Sequence, residues 1–264
     1  MSKLKSFFKL SKKKVHDDDK IEIGRLLCKD TPFAIREAYA KLSTNIMYLP
    51  SDTACKTIVV TSAMPGEGKS ILSANLSISL SKLIGNGKVL LIDSDMRRSR
   101  INRLFSVDKE GNRGLSEYLA GMDAEPVIHK VPGYDNFFIL NAGAKNPNPS
   151  GLITSARLSE LFAGLKEVYD YIIIDTPPIG AVTDALLYSS VVNGYIISVR
   201  ADYSNINLIK ETISSIKGVD GTVFGVVLNS FNPKLDNRGK YYGSYRSYKS
   251  YGSYGSYGSY EYND

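Results

Sequence analysis

Short runs of β-branched and aliphatic residues alternate along this chain with stretches whose apolar positions recur every three or four residues. The runs at 57–61, 88–92, 137–140, 171–174, 194–200 and 222–228 are apolar on successive positions, the pattern of strands buried on both faces. Helical spacing is read at 31–48, with Thr31 as N-cap, and at 71–83, 154–168 and 206–216. Shorter helical patterns fall at 115–120 and 184–192, and the rest of 107–135 reads as loop. The segment Asn146-Pro147-Asn148-Pro149-Ser150 breaks the chain. Strands that alternate with helices predict an α/β fold, a doubly wound and mostly parallel sheet.

Chemistry enters at the first strand. Residues 57–61 run directly into Ala63-Met64-Pro65-Gly66-Glu67-Gly68-Lys69-Ser70, followed by a helical pattern from Ile71. Strand, glycine loop, lysine, hydroxyl and helix make a P-loop. Gly66 and Gly68 let backbone N–H groups turn inward around phosphate oxygens, and the helix aims the positive end of its dipole at the same point. Lys69 reaches the β- and γ-phosphates, and the Ser70 hydroxyl binds Mg²⁺. Ala63 stands where the strict pattern has its first glycine. Residues 65–71 are thus expected to hold a nucleoside triphosphate.

The second strand delivers Asp93-Ser94-Asp95-Met96-Arg97 at its C-terminal end, where open α/β sheets place their ligands. Carboxylates at i and i+2 on a strand are expected on one side. Beside phosphates, one takes a proton and the other orients Mg²⁺. Arg97, Arg98, Arg100 and Arg103 follow, a set that contacts phosphate, acidic partners or nucleic acid, or is a solvated helix face. Four apolar residues ending in Asp175-Thr176-Pro177-Pro178 read as a Walker-B strand whose carboxylate holds the metal or its waters. Asn229, after the last strand, either meets an adenine edge or forms a turn. No Asn-Lys-x-Asp guanine signature is present, which favours ATP over GTP.

Composition limits the rest. In 264 residues with 43% hydrophobic content there is room for one sizeable domain and appendages. Two cysteines give no disulfide framework or metal site, and a reducing cytoplasm is the default. No apolar run reaches the roughly 18 residues of a membrane span, and no signal peptide is read. Residues 1–14 mix Lys3, Lys5, Lys9 and Lys12 to Lys14 with Leu4, Phe7, Phe8 and Leu10. Two readings stand for them, an anionic membrane surface or a solvated terminus. His16 and Asp17 to Asp19 continue as polar linker.

The C-terminus changes character at Asn232. Tyr242, Tyr245, Tyr248, Tyr251, Tyr254, Tyr257 and Tyr260 recur every third residue among Gly and Ser, with Tyr241 and Tyr262 flanking them. A period of three fits neither a helix stripe nor a strand, and such spacers build no core, so a disordered, accessible tail is expected. A sticky or RNA-associating low-complexity tail is the bland alternative. Phosphorylation of all nine would add roughly −14 to −18 charges. Some 30 residues extend to about 100 Å, within reach of a neighbouring copy's site.

Together the P-loop, the Asp-x-Asp-x-Arg strand end, the Asp-Thr-Pro-Pro strand end and the tyrosine series resemble the bacterial tyrosine kinases of capsule and exopolysaccharide synthesis. The resemblance is to their separate cytoplasmic kinase type and spans about 31–264. It implies a P-loop NTPase fold of the partitioning-ATPase-like type and four regions. These are a basic and polar segment 1–30, an oligomer-contact helix 31–50, a kinase domain 51–231 and the tyrosine tail 232–264. ATP and Mg²⁺ are the implied cofactors. Asp93 would deprotonate the incoming tyrosine; Asp95, Ser70 and Asp175 would place Mg²⁺; Lys69 would steady the phosphates, and Arg97 would sit with the Asp93–Asp95 group, the family's Walker A′ motif. Residues 146–150 match the family's Pro-Asn-Pro-Ser loop.

The same resemblance implies partners: the cytoplasmic tail of a membrane adaptor as activator, a cognate tyrosine phosphatase, and further copies of the chain in a ring. No nucleic-acid partner is expected, and the adaptor would hold the kinase at the inner face of the membrane. The family's Glu-x-x-Arg-x-x-Arg ring helix is altered here, with Glu37 kept but Ala40 and Ser43 in the arginine places, and Arg36 and Lys41 nearby. Two other classes compete. Partitioning or septum-positioning ATPases carry a second lysine where this chain has Met64. A nucleotide-switched interaction protein would use the tail for assembly without phosphoryl transfer.

Overall fold

The sheet is built from the apolar runs. Its strands are β1 (Lys56–Ser62), β2 (Val89–Asp93), β3 (Ile128–Lys130), β4 (Phe137–Leu140), β5 (Tyr171–Asp175), β6 (Gly194–Arg200) and β7 (Val223–Asn229). They lie in the order β3-β4-β2-β5-β1-β6-β7, and every pair is parallel except the β3–β4 edge. The computed structural model describes residues 24–50, 53–105, 107 and 113–231. The expectations for the basic N-terminus and for the nine tail tyrosines lie outside the described residues.

Both faces of the sheet are covered, which is why the strands are continuously apolar. On β5, Tyr171 and Ile173 enter one hydrophobic cluster and Ile172 and Ile174 the other; Val89 and Leu91 divide from Leu90 and Ile92 in the same way. The first face takes α1 (Phe33–Met47), α2 (Lys69–Leu83) and α3 (Ile101–Phe105). The second takes α4 (Leu115–Leu119), α5 (Pro149–Ile153), α6 (Ala156–Lys166), a 3₁₀ turn at Asp184–Tyr188 and α7 (Ile206–Lys217). This is the expected doubly wound α/β architecture. Among the described residues, no helix is long and apolar enough to cross a membrane.

Helix α2 is buried nearly all round, because α1 packs over the side turned away from the sheet. Its serines tolerate this by returning their hydroxyls to the helix: Ser73 Oγ donates to Lys69 O (3.0 Å) and Ser77 Oγ to Ser73 O (2.8 Å).

Several local expectations are corrected. Thr31 is not an N-cap: α1 starts at Phe33 after Pro32, and Thr31 Oγ1 accepts from Cys28 N (2.9 Å). The helix expected at 154–168 forms as α6 over the shorter range Ala156–Lys166, and the end of the expected break at 146–150 opens α5, where Asn148 Oδ1 caps Gly151 N (3.2 Å). The stretch 107–135 also carries the edge strand β3. Residues 184–192 hold only a 3₁₀ turn, and α3 was not anticipated.

Candidate active site

At the C-terminal end of the sheet, β1 runs into the loop 63–68, and α2 starts at Lys69. Gly66 and Gly68 adopt φ +83° and +86°, a region that disfavours side chains. A Cβ on Gly68 would also lie 3.0 Å from Asn229 Nδ2. Ala63, by contrast, has no positive φ, and its methyl group lies within the hydrophobic core. Its position needs no glycine, which explains why the strict motif is relaxed there.

Glu67 braces the loop from inside. Fully buried, it accepts Met64 N on Oε2 (2.8 Å) and the Ser204 hydroxyl on Oε1. Its carbonyl accepts Ser198 Oγ (2.6 Å) and Asn229 Nδ2 (3.2 Å). Outside, Tyr203 Oη donates to Pro65 O (3.1 Å), and the Arg200 guanidinium stacks on the Tyr203 ring at 5.1 Å. The 200–204 turn, with Asp202 at φ +56°, thus clasps the phosphate loop. Sequence reading missed it, since Arg200 looks like an ordinary strand end.

A cavity of about 370 Å³ opens in front of the loop. Pro65, Gly66, Gly68, Lys69, Ser70 and Ile71 line it on one side, and Asp95 and Arg97 on another. Arg98 and Arg100 add positive charge at its wall. So does Arg25, which sequence reading did not single out. Asn75 on α2 fixes the segment that carries Arg25, donating to Arg25 O (3.0 Å) and accepting Leu27 N (2.8 Å).

Asp93 and Asp95 do not share a side, contrary to expectation. The strand ends at Asp93, so the alternation rule stops applying there. Asp95 lines the cavity and accepts Arg98 N (2.9 Å). Asp93 is fully buried: Oδ2 accepts Ser99 Oγ (2.8 Å), Ile101 N (3.1 Å) and Arg100 N (3.2 Å), and Oδ1 accepts Asp95 N (3.1 Å). It anchors the start of α3. Burial and the adjacent Asp175 charge push its carboxyl well above the ordinary carboxylate range.

Asp175 sits beside Asp93 in register, buried beneath the loop, and accepts Ser73 Oγ (3.1 Å). Burial raises its pKa too, while Lys69 and the Ser70 hydroxyl pull it back. The strap that follows is tied to β1: Thr176 Oγ1 donates to Val60 O (3.0 Å) and Thr61 Oγ1 to Pro177 O (3.0 Å). Asn229 stands at the end of β7, its Nδ2 also donating to Ser198 Oγ (2.7 Å).

Of the residues singled out in the sequence, Lys69, Ser70, Asp95, Arg97 and the loop converge on one cavity; Asp175 supports them, and Asp93, Glu67 and Asn229 lie behind. A phosphate-shaped loop with lysine, hydroxyl and carboxylate in attendance is a nucleotide site. In α1, Ser43 is fully buried and Ala40 half-buried, so these two positions do not both face solvent.

Comparison with known proteins agrees with this geometry. Residues 55–225 match the AAA domain family. The tyrosine-protein kinase CpsD of Streptococcus pneumoniae serotype 4 is 36% identical over 209 residues, 78% of this chain and 87% of CpsD. EpsB proteins of Ralstonia are matched over 28% of their own length. The crystal structure of the chimerical protein CapA2B2 superimposes with a TM-score of 0.71 at 33% identity, over 79% of this chain and 90% of the chimera. The kinase domain of Escherichia coli tyrosine kinase ETK gives 0.68 at 32%, over 74% of each chain. With its phosphate loop, Asp-x-Asp strand end and Walker-B strand in place, the chain belongs to the AAA-domain P-loop proteins and, among them, to the bacterial tyrosine-kinase family.

Proposed function

We propose that this kinase transfers the γ-phosphoryl group of ATP to tyrosines 241, 242, 245, 248, 251, 254, 257, 260 and 262 of a neighbouring copy, and so regulates capsule or exopolysaccharide synthesis and export. The observation that carries the reading is the convergence of Lys69, Ser70, Asp95 and Arg97 on the cavity beside Gly66 and Gly68. Strand β7, which precedes the tyrosine segment in the sequence, ends at Asn229, whose side chain touches the phosphate loop.

Residues 66–71 hold the phosphates through their N–H groups, and the α2 N-terminus adds its positive potential. Lys69 balances charge on the β- and γ-phosphates, and Arg97 meets the group in transfer. The donor set fits Mg²⁺: the Ser70 hydroxyl and Asp95 carboxylate line the cavity, and Asp175 lies beneath them, all hard oxygen ligands. When bound there, Mg²⁺ supplies charge neutralisation at the phosphates. Asp93 takes the tyrosine proton only after the 95–101 segment releases its carboxylate, which four donors now occupy. With a phenol pKa near 10, positioning and charge contribute more to rate than proton removal.

The activating partner is the cytoplasmic tail of a membrane adaptor, which holds the kinase at the inner membrane face. The CapA2B2 chimera supports a partner of this kind. A tyrosine phosphatase resets the tail, and copies of the chain associate through α1.

The test is incubation of the full chain with Mg²⁺ and γ-labelled ATP, with and without a candidate adaptor tail, followed by mass spectrometry. Label on tail tyrosines is expected. It disappears in Lys69→Met and when all nine tyrosines become Phe, although the Phe variant still binds ATP. Label persisting in Lys69→Met, or phosphate released only to water, rejects the reading.

A further inference from the structure

Arg97 reaches the cavity, but what holds it there is Asp184, which lies 87 residues further along the chain. Arg97 Nε donates to Oδ2 (3.0 Å) and Nη2 to Oδ1 (3.3 Å), a side-on bidentate pair. The acid is buried, with 1% of its side chain exposed, whereas Arg97 is 40% exposed on the cavity side. Of the five N–H donors of the guanidinium, this geometry uses two and leaves three for a ligand. Asp184 Oδ1 also accepts Ser150 Oγ (2.6 Å), from the first turn of α5.

The same 3₁₀ turn grips the strand end a second time. Tyr188 Oη and Ser94 Oγ share a 2.5 Å hydrogen bond. Segment 94–97 is therefore held at both ends by the turn that follows the Walker-B strap, and through Ser150 it is tied to the Asn-Pro-Asn-Pro-Ser segment.

The structure assigns Asp184 the role of a positioning residue: it fixes the Arg97 guanidinium in the orientation that presents its remaining donors to the phosphoryl group in transfer. Ser150 holds the carboxylate in turn, coupling the 146–150 segment to that arginine. The assignment rests on the reading of Arg97 as the residue that meets the transferring group. A guanidinium misaimed by an ångström loses much of its effect on the transition state while ground-state ATP still binds the phosphate loop. A buried pair kept only for stability would show no such asymmetry.

The experiment measures tail phosphorylation by the full chain, with adaptor tail present, over a range of ATP concentrations. The variants are Arg97→Ala, Asp184→Asn, Ser150→Ala and the two double variants that combine Arg97→Ala with each of the others, each checked for its unfolding midpoint. Asp184→Asn is expected to lower kcat by roughly 10–100-fold, with KM for ATP changed by less than about threefold. In the Arg97→Ala background the second substitution should cost less than about twofold, because the aimed group is already gone. Ser150→Ala keeps the ion pair and should cost a few-fold in the wild type and nothing with Arg97→Ala. Additive losses in either pair overturn the assignment, as does an unchanged kcat in Asp184→Asn. If Asp184→Asn does not fold, the Ser150→Ala pair decides alone. Wild-type turnover in Arg97→Ala would instead remove the role given to Arg97, and this inference with it.

Discussion

Asp93 and Asp175 are register partners on adjacent parallel strands, both sealed from solvent, and each carboxylate is driven toward its neutral form by burial. The native protein therefore keeps protons on this pair at a pH where the unfolded chain, with carboxylates near 4, has released them. For groups raised in the folded state, the stabilisation is complete below the unfolded value and is lost as pH rises toward the raised ones. In metal-free, nucleotide-free buffer, stability should fall between about pH 4.5 and neutral. Asp175→Asn should flatten that decline by about 1–3 kcal/mol, while abolishing tail phosphorylation. Urea midpoints at both pH values measure it; parallel declines in the two proteins would remove the electrostatic account.

Glu67 shows how a loop that looks locally determined depends on distant strands. Its carboxylate and carbonyl collect Met64, Ser204, Ser198 and Asn229, so the phosphate-binding turn is fixed from β6 and β7. Glu67→Gln replaces one acceptor oxygen by a donor and leaves a buried partner unsatisfied, at a cost of about 1–3 kcal/mol. ATP affinity should drop on the order of 10-fold, read by titration calorimetry, with a lowered unfolding midpoint.

The strands were legible in the sequence because double-sided burial writes continuous apolar runs, and Phe137–Leu140 and Gly194–Arg200 match residue for residue. The phosphate loop was legible because glycine, lysine and serine at fixed spacing have a local cause. What escaped has non-local causes. Helix α3 is five residues long and starts on the Asp93 carboxylate, eight positions before Ile101. Edge strand β3 carries His129 and Lys130, with no alternation to read. The Asp95 side chain diverges from Asp93 because the backbone leaves the sheet between them. The Arg97–Asp184 pair joins the chain after β2 to the chain after β5, neighbouring strands in the sheet but 87 residues apart in sequence, and in the sequence Asp184 reads only as a helix-start residue.

Asn229 separates two roles by nucleotide choice. Its Nδ2 donates to Glu67 O and Ser198 Oγ, which braces the phosphate loop and touches any nucleotide alike. Contact with an adenine edge would add discrimination of on the order of 10-fold against guanine. Asn229→Ala is expected to weaken ATP more than GTP, narrowing the preference between them. Equal losses for the two nucleotides, measured by competition binding, would leave only the bracing role.

The two cysteines differ in environment, and their chemistry should follow. Cys28 is exposed, and its thiol lies below the ordinary range chiefly because the Thr31 hydroxyl hydrogen-bonds the sulfur at 3.5 Å. Cys55 is buried, which pushes its thiol up to about 12. Since the thiolate is the nucleophile, iodoacetamide at about pH 7.5 should modify Cys28 and spare Cys55 in the folded protein. A lowered pKa means that the reactive form is present at lower pH, so Thr31→Val should move the Cys28 labelling curve toward higher pH. Its rate at about pH 7.5 should then fall, because less of the thiol is present as thiolate. Peptide mapping with labelled reagent reads both sites at once. Equal labelling of Cys28 and Cys55 would contradict the burial difference, and an unchanged curve in Thr31→Val would remove the hydroxyl as its cause.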